Sequence, residues 1–299
     1  MFRSAHKKLK SNALGYKMLM PASLLILLVS IYPLLNGFSL AFQDYNLLRP
    51  KRREFVLFAN FVEILTKDRD FYRVLIFSFI YAFCVVLVSY VFGLCLALLM
   101  NREIKFRGVI RAIILIPWVI PPVVAATNWL WLLNDQLGFI NRTLQSIGLI
   151  SKPILFLADP FLAKITVIMT GAWKSFPFMM ITLLAGLQSI PHELYESAYM
   201  DGASFAKSLR YITLPMLKPI SLISTTLMFI WTFNNFENIY LLTYGGPMES
   251  TYVLPIYSYY TAFVRSEIGY ASAISTILLV VLLGLALVYM RVLRTQENY

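Results

Sequence analysis

Charge is scarce in this 299-residue sequence: only 14% of its residues are Asp, Glu, Lys or Arg, against about 25% in soluble domains. Cysteine is almost absent too. Cys84 and Cys95 stand eleven residues apart in one apolar stretch, a rise of about 16 Å on a helix, well beyond disulfide reach. They read as packing residues and say nothing about the redox compartment. His6 and His192 are the only histidines, one in a basic terminus and one in a loop, and they read as solvated imidazoles. There is no GxxxxGK[ST] loop, no HExxH and no Cys/His cluster, which excludes ATP binding by that loop and zinc-type hydrolysis.

What the chain has instead is apolar surface. Hydrophobic residues make up 59%, and the mean hydropathy is +0.70. That excludes disorder, collagen, coiled coil and a disulfide-stapled module. Six runs are long enough to cross a bilayer as helices, about 18–42, 74–100, 109–133, 162–187, 218–243 and 269–290, since crossing takes roughly 20 apolar residues. The first follows Arg3, Lys7, Lys8, Lys10 and Lys17 like the front of a signal peptide. It is too long for one and lacks a small-residue cleavage site, so it reads as a retained span. The expected fold class is all-α: an N-terminal segment 1–17, a six-span membrane domain 18–290 and a tail 291–299. Loops this short leave no room for a separate catalytic domain.

The net charge of +11 would suggest nucleic acid in a soluble protein; here it reads as topology. With both termini cytoplasmic, the inner segments carry fourteen basic residues and the outer loops ten. The bias has the expected sign, and Arg49, Lys51, Arg52 and Arg53 in the first outer loop work against it.

The inner loop 188–217, between the fourth and fifth spans, reads as two short helices joined by a turn. Pro191 suits a first helical position, and Glu193 and Glu196 fall where the helix dipole favours acids. Asp201–Gly202 supplies a break, because Gly accepts positive φ. Phe205, Leu209 and Ile212 then form an amphipathic stretch leading to Pro215. From these residues alone the loop is an interfacial connection, or one whose small side chains at Ala198, Gly202 and Ala203 let another protein's backbone approach.

The same segment, ESAYMDGASFAKSLRYITLP, resembles the EAA loop of ABC-importer permeases. Glu196, Ala198, Asp201, Gly202, Ala203, Ile212, Leu214 and Pro215 match that pattern; Ser197 and Leu209 depart from it while keeping size or apolarity. Further stretches, RGVIRAIILIPWVIPPVVAATNWLWLLNDQLGFIN, GAWKSFPFMMITLLAGLQSIPHELYESA and WTFNNFENIYLLTYGGP, resemble the carbohydrate-type permeases, the maltose and glycerol-3-phosphate kind, so the likeness runs over about residues 18–295. YLLTYGGP is similar to the first-type subunit of a heterodimeric pair. The resemblance implies a type I importer permease of a prokaryotic inner membrane. It implies a second permease, two ATP-binding subunits that hold ATP and Mg, an extracytoplasmic solute-binding protein and a carbohydrate substrate. It implies no enzyme activity, cofactor or nucleic-acid partner for this chain. Glu196, Ala198, Asp201, Gly202 and Ala203 would then couple to the ATPase.

A solute path should leave polar groups within spans, where they are costly unless they face a cavity or a partner. Trp231, Asn234, Asn235 and Asn238 recur at the spacing of one helical face, with Glu237 well off it. They suit hydroxyls and a sugar ring, or interhelical hydrogen bonding. Trp173 and Lys174 lie on the fourth span, where Lys174 is either a contact for a polar or anionic solute or a structural pairing partner. Pro117, Pro121 and Pro122 should kink or break the third span. The Tyr-rich outer loop after the fifth span is either a contact for the binding protein, a gate or an interfacial belt. Two rival functions stand beside the sugar importer. One is an importer for a polyamine, a phosphate ester or an acidic oligosaccharide. The other is a stand-alone secondary carrier, which would need internal repeats and membrane-embedded acids or broken helices for ion coupling; the sequence shows no clear repeat, and the only candidate acid within the six runs is Glu237, near one end.

Overall fold

The computed structural model describes residues 15–296; Arg3, Lys7, Lys8 and Lys10 of the basic terminus and residues 297–299 of the tail lie outside the described residues. Helices dominate. In chain order they are α1 (Gly15–Leu40), α2 (Ala59–Thr66), α3 (Arg69–Met100), α4 (Arg107–Val119), α5 (Pro122–Leu132), α6 (Phe139–Ser146), α7 (Pro160–Gln188), α8 (His192–Met200), α9 (Phe205–Phe233), α10 (Glu237–Thr243), α11 (Leu254–Phe263) and α12 (Ile268–Gln296). Among the described residues α1, α3, α7, α9 and α12 are each long and apolar enough to cross a membrane, and α4 with α5 makes a sixth when the bent pair is counted as one.

The chain divides into two units. One takes in the residues up to Asp68 together with Ser258–Ile277. Here β1 (Gln43–Tyr45) pairs antiparallel with β2 (Arg53–Phe55), a hairpin the apolar pattern did not forecast in the loop between the first two runs. Asn60 secures it by donating to the carbonyls of Ala41 (2.9 Å) and Gln43 (3.0 Å). Phe42 packs on Phe38, Phe58 and Phe61. Tyr270 donates to Asp68 at 2.8 Å, and Gly269 lies against the Gln43 carbonyl where a Cβ would not fit.

The other unit, Arg69–Tyr257 with the chain from Leu278, holds most of the membrane core. Its centre is the α3–α7 contact, where Val86, Ala97, Met179, Met180, Leu183 and Leu187 are buried. Between membrane helices there is little hydrophobic gain from association, so small residues that admit close van der Waals contact do the joining. Three glycines show it. A Cβ on Gly93 would stand 2.9 Å from Met179 Cβ and from the Met180 backbone nitrogen. One on Gly171 would stand 2.9 Å from the Tyr81 hydroxyl, and one on Gly186 2.8 Å from Leu217 and Ile220. Asp159 starts α7: its carboxylate accepts the amides of Phe161 (2.9 Å) and Leu162 (2.8 Å), with Pro160 in the first turn, an N-cap of the usual chemistry.

Two expected spans are not single helices. The run 109–133 breaks at Ile120–Pro121, and its halves bend by 93°. Pro121 and Pro122 supply no amide hydrogen, and each pushes its predecessor out of the helical region: Ile120 has ψ 132 and Pro121 ψ 140. The run 218–243 ends its helix at Phe233 and restarts at Glu237. Conversely, the stretch from Phe205 is not a separate short helix but the start of the 29-residue α9. A π-helical turn at Leu209–Thr213 makes that continuity possible. There the Leu214 amide bonds back to the Leu209 carbonyl, and the wider turn admits Pro215. A matching π turn, Leu27–Ile31, precedes Pro33 in α1.

Candidate functional site

Two constellations emerge, one in the loop between α7 and α9 and one where the broken spans meet. In the loop, Pro191 caps α8 rather than occupying its first turn, with ψ 133. The helix stops at Asp201. Gly202 adopts φ +77, its amide bonds to the Tyr199 carbonyl at 3.0 Å, and the Ala203 amide reaches the Ala198 carbonyl at 2.9 Å. Those two bonds, with a left-handed residue at the turn, are a Schellman stop. Ala198, Asp201, Gly202 and Ala203 therefore sit together in one rigid corner.

Glu196 is exposed one turn earlier, its carboxylate 3.8 Å from His192 Nδ1, an ion pair only when the imidazole is protonated. Tyr195 and Thr213 share a hydrogen bond of 3.0 Å that ties α8 to the π turn of α9. The Arg102 guanidinium, from the turn after α3, lies 5.7 Å from the Phe205 ring. Tyr199 (79% exposed) and Met200 (84%) stand out from the end of α8. Neither residue belongs to the EAA-like pattern. Two large apolar side chains just before DGA were the available signal, because an exposed apolar pair in a polar loop asks for a partner.

The second constellation centres on the break between α4 and α5. Lys174, midway along α7, donates its ammonium to the Ile120 carbonyl at 2.7 Å. The ammonium thus joins α7 to the break between α4 and α5. Along α7, Trp173 packs edge-on against Trp129 at 5.3 Å. Phe178 packs against both Trp118 (6.0 Å) and Trp231 (5.2 Å). A small cleft lies where α5 meets α10, lined by Pro122, Val123, Phe236, Glu237, Tyr240 and Leu241. Phe236 and Tyr240 stack at 4.6 Å beside it.

The expected single stripe of Trp231, Asn234, Asn235 and Asn238 is not one helical face, because the helix ends between its members. Trp231 is on α9 and exposed; Asn234 is the residue on which α9 stops. Asn235 starts the next segment, its side-chain oxygen accepting the Asn238 amide at 3.1 Å. Asn238 joins three helices: its Nδ2 donates toward the Val167 carbonyl (3.3 Å), the Thr170 hydroxyl (3.4 Å) and the Tyr81 hydroxyl (3.4 Å). Asn238 thus links α10 to α3 and α7. Glu237, set aside by the periodicity argument, lines the cleft. Periodicity could not find the interruption, since no Pro or Gly marks Asn234–Phe236.

The Tyr-rich segment after α10 is partly packed inward. Tyr252 and Tyr257 are buried, the Leu254 amide donates to the Ser78 hydroxyl at 2.9 Å, and Arg73 pairs with Glu249 at 3.0 Å.

The chain thus combines apolar helices interrupted within span-length runs with an exposed, capped loop helix. The chain belongs to the family of binding-protein-dependent transport system inner membrane components, whose model matches residues 89–295. It is 34% identical to the trehalose/maltose transport system permease protein MalF of Thermococcus litoralis, over 97% of both chains. It is 33% identical to the diacetylchitobiose uptake system permease protein DasB of Streptomyces coelicolor, over 95% of this chain and 87% of that one. Among solved structures, a chain of a bacterial ABC transporter involved in import of the acidic polysaccharide alginate superposes with a TM-score of 0.85 at 26% identity. That match covers 98% of this chain and 99% of the other.

Proposed function

We propose that this chain is one of two membrane-spanning subunits of an ATP-driven importer for a sugar or short oligosaccharide. It works with a second, homologous permease, two ATP-binding subunits that hold ATP and Mg, and an extracytoplasmic binding protein. The chain itself hydrolyses nothing, and both its termini face the cytoplasm. The observation that carries this reading is the α8 corner, a short helix presenting Glu196, Tyr199 and Met200 and locked by the Gly202 turn. Force applied by a closing ATPase to such an element passes to α9 through the Tyr195–Thr213 bond and the short Ala203–Ser204 link, whereas a floppy loop would absorb it. The spans then alternate between inward-facing and outward-facing arrangements.

Similarity to permeases named for trehalose/maltose and diacetylchitobiose supports the saccharide class. Within the membrane, we assign the solute path to Trp231, Asn234 and Asn235 with Trp173, beside the cleft at Glu237. Stacked rings and a carboxylate there suit hydroxyl-rich, uncharged solutes, because a sugar offers a flat apolar face and many hydrogen-bond donors. Lys174, engaged by a carbonyl, is assigned to holding the path's shape. An acidic solute is the second reading, favoured by the likeness to the alginate importer.

Affinity purification of the chain from its native membrane in mild detergent, followed by mass spectrometry, tests the assembly. A second six-span protein and a Walker-motif ATPase in stable proportion are expected. ATP-driven uptake into proteoliposomes is then measured with neutral and uronic-acid oligosaccharides. Recovery of the chain alone under several detergents would contradict the reading.

A further inference from the structure

We propose that the tight turn between α3 and α4 binds anionic phospholipid headgroups, with Lys105 and Arg107 as the charge partners and Phe106 as the anchor in the membrane surface. Residues 101–106 alone join the two helices, so the turn stays close to the helix ends. It is braced on both sides. The Arg111 guanidinium donates to the Met100 carbonyl at 3.2 Å, a cation placed at the end of α3 where the helix dipole favours one. The Arg107 amide bonds to the Ile104 carbonyl at 3.3 Å, and Ile104 packs against the buried core between α3 and α7. At the tip, Phe106 has φ 61 and is 78% exposed. A bulky side chain in the left-handed region is uncommon and persists where the surrounding structure over-determines it. An aromatic side chain held out between exposed lysine and arginine is suited to the boundary between headgroups and acyl chains.

Charge and position select a lipid over other occupants. Arg102, Lys105 and Arg107 are exposed, and Glu103 is the only acid in 101–107. Lys207 and Arg210, exposed at the start of α9, extend the same sign. They are brought alongside where the Arg102 guanidinium approaches the Phe205 ring at 5.7 Å. By contrast α8, which we assign to the ATPase, carries Glu193 and Glu196 and ends on Asp201. An ATPase surface complementary to those acids is repelled by the turn. The second permease meets a like-charge barrier as well, since cytoplasmic loops of membrane proteins carry an excess of Lys and Arg. Position agrees with charge. Val109, Ile113 and Ile116 are exposed along α4 at the spacing of one helical face, so the apolar layer begins within a turn of Phe106. Lys105 and Arg107 then stand at headgroup level on the α8 side, which the proposed orientation makes the cytoplasmic leaflet.

The test places a photo-reactive side chain in the turn, as Phe106→p-benzoylphenylalanine, within the intact importer complex. The complex is held in nanodiscs of equal phosphatidylglycerol and phosphatidylcholine with matched chains, and mass spectrometry reads the adducts. One basic residue near a membrane surface corresponds to about a fivefold preference for the anionic lipid, so phosphatidylglycerol adducts should exceed phosphatidylcholine adducts by about fivefold or more. With Lys105→Gln and Arg107→Gln together, lipid adducts should persist in a ratio of about one, because the remaining Arg102 and Glu103 offset each other. Glu103→p-benzoylphenylalanine is a second station at a position with no left-handed backbone, and it should report the same preference if the bulky residue disturbs position 106. Equal adducts of the two lipids at both stations would overturn the proposal, leaving a solvated basic turn. So would capture chiefly of the ATPase or the second permease, since a protein would then cover the turn. Adduct composition is read without transport or ATP hydrolysis, so its failure is separable from failure of the importer reading.

Discussion

Between Val119 and Pro122 the chain leaves a helix inside the apolar layer; between Met200 and Phe205 it leaves one in the exposed loop. Both interruptions follow residues that cannot or need not continue a helix, yet the freed backbone groups find different partners. In the loop, the turn supplies its own: the amides of Gly202 and Ala203 bond to the carbonyls of Tyr199 and Ala198, and water can solvate the rest. In the membrane segment the partner comes from another helix, fifty-four residues away, as the Lys174 ammonium reaches the Ile120 carbonyl. Hydrocarbon offers no donor, so a break at depth must be sealed by a neighbour. The local seal makes a rigid element that can be pushed as a unit. The distant one ties the geometry of α4 and α5 to the position of α7.

Removing the distant seal should have the largest effect on stability. Lys174→Met is expected to leave the Ile120 carbonyl without its donor, at a cost of about 1–3 kcal/mol, read as a lower unfolding temperature of the purified complex. An unchanged unfolding temperature with a raised KM for solute would instead make Lys174 a solute contact and break the contrast. Gly202→Val should cost about 1–2 kcal/mol, the penalty for an L side chain in the left-handed region. The loss should be confined to the loop: faster hydrogen exchange in the last turn of α8, with the global transition unmoved.

Asn238→Leu is expected to cost about 0.6 kcal/mol, the usual worth of an interhelical hydrogen bond in a membrane, with solute affinity unchanged because its amide is spent on Val167, Thr170 and Tyr81. A change in the solute's apparent affinity of tenfold or more would return Asn238 to the path. Glu196→Gln should leave stability unmoved, its ion pair with His192 being exposed and dependent on a protonated imidazole, while weakening co-purification of the ATPase. Undiminished ATPase recovery would remove Glu196 from the docking face.

Much of the membrane architecture was legible in the sequence, because apolar runs of span length have few other uses. Asp201–Gly202 announced its turn through glycine, and Pro121–Pro122 announced a disruption in the third span. What the sequence withheld was pairing at a distance. Nothing near Lys174 says that its ammonium serves Ile120, and nothing near Asn238 names Tyr81 or Thr170. The break at Asn234–Phe236 was hidden for a different reason. The spacing of Trp231, Asn234, Asn235 and Asn238 fits one helical face whether or not the helix is continuous, and Asn235 restarts the helix by a local hydrogen bond that composition does not reveal. The β1–β2 hairpin lay in a loop rich in charge of both signs, where neither helical nor alternating periodicity is strong.

The central claim, that the Gly202-locked corner of α8 passes ATPase motion to the spans, is tested most directly with Gly202→Asp in the reconstituted importer, measuring ATP hydrolysis and ATP-driven sugar uptake side by side. The account predicts an assembled complex that still hydrolyses ATP but no longer accumulates solute. Uptake at the unmodified rate, with hydrolysis intact, would contradict it.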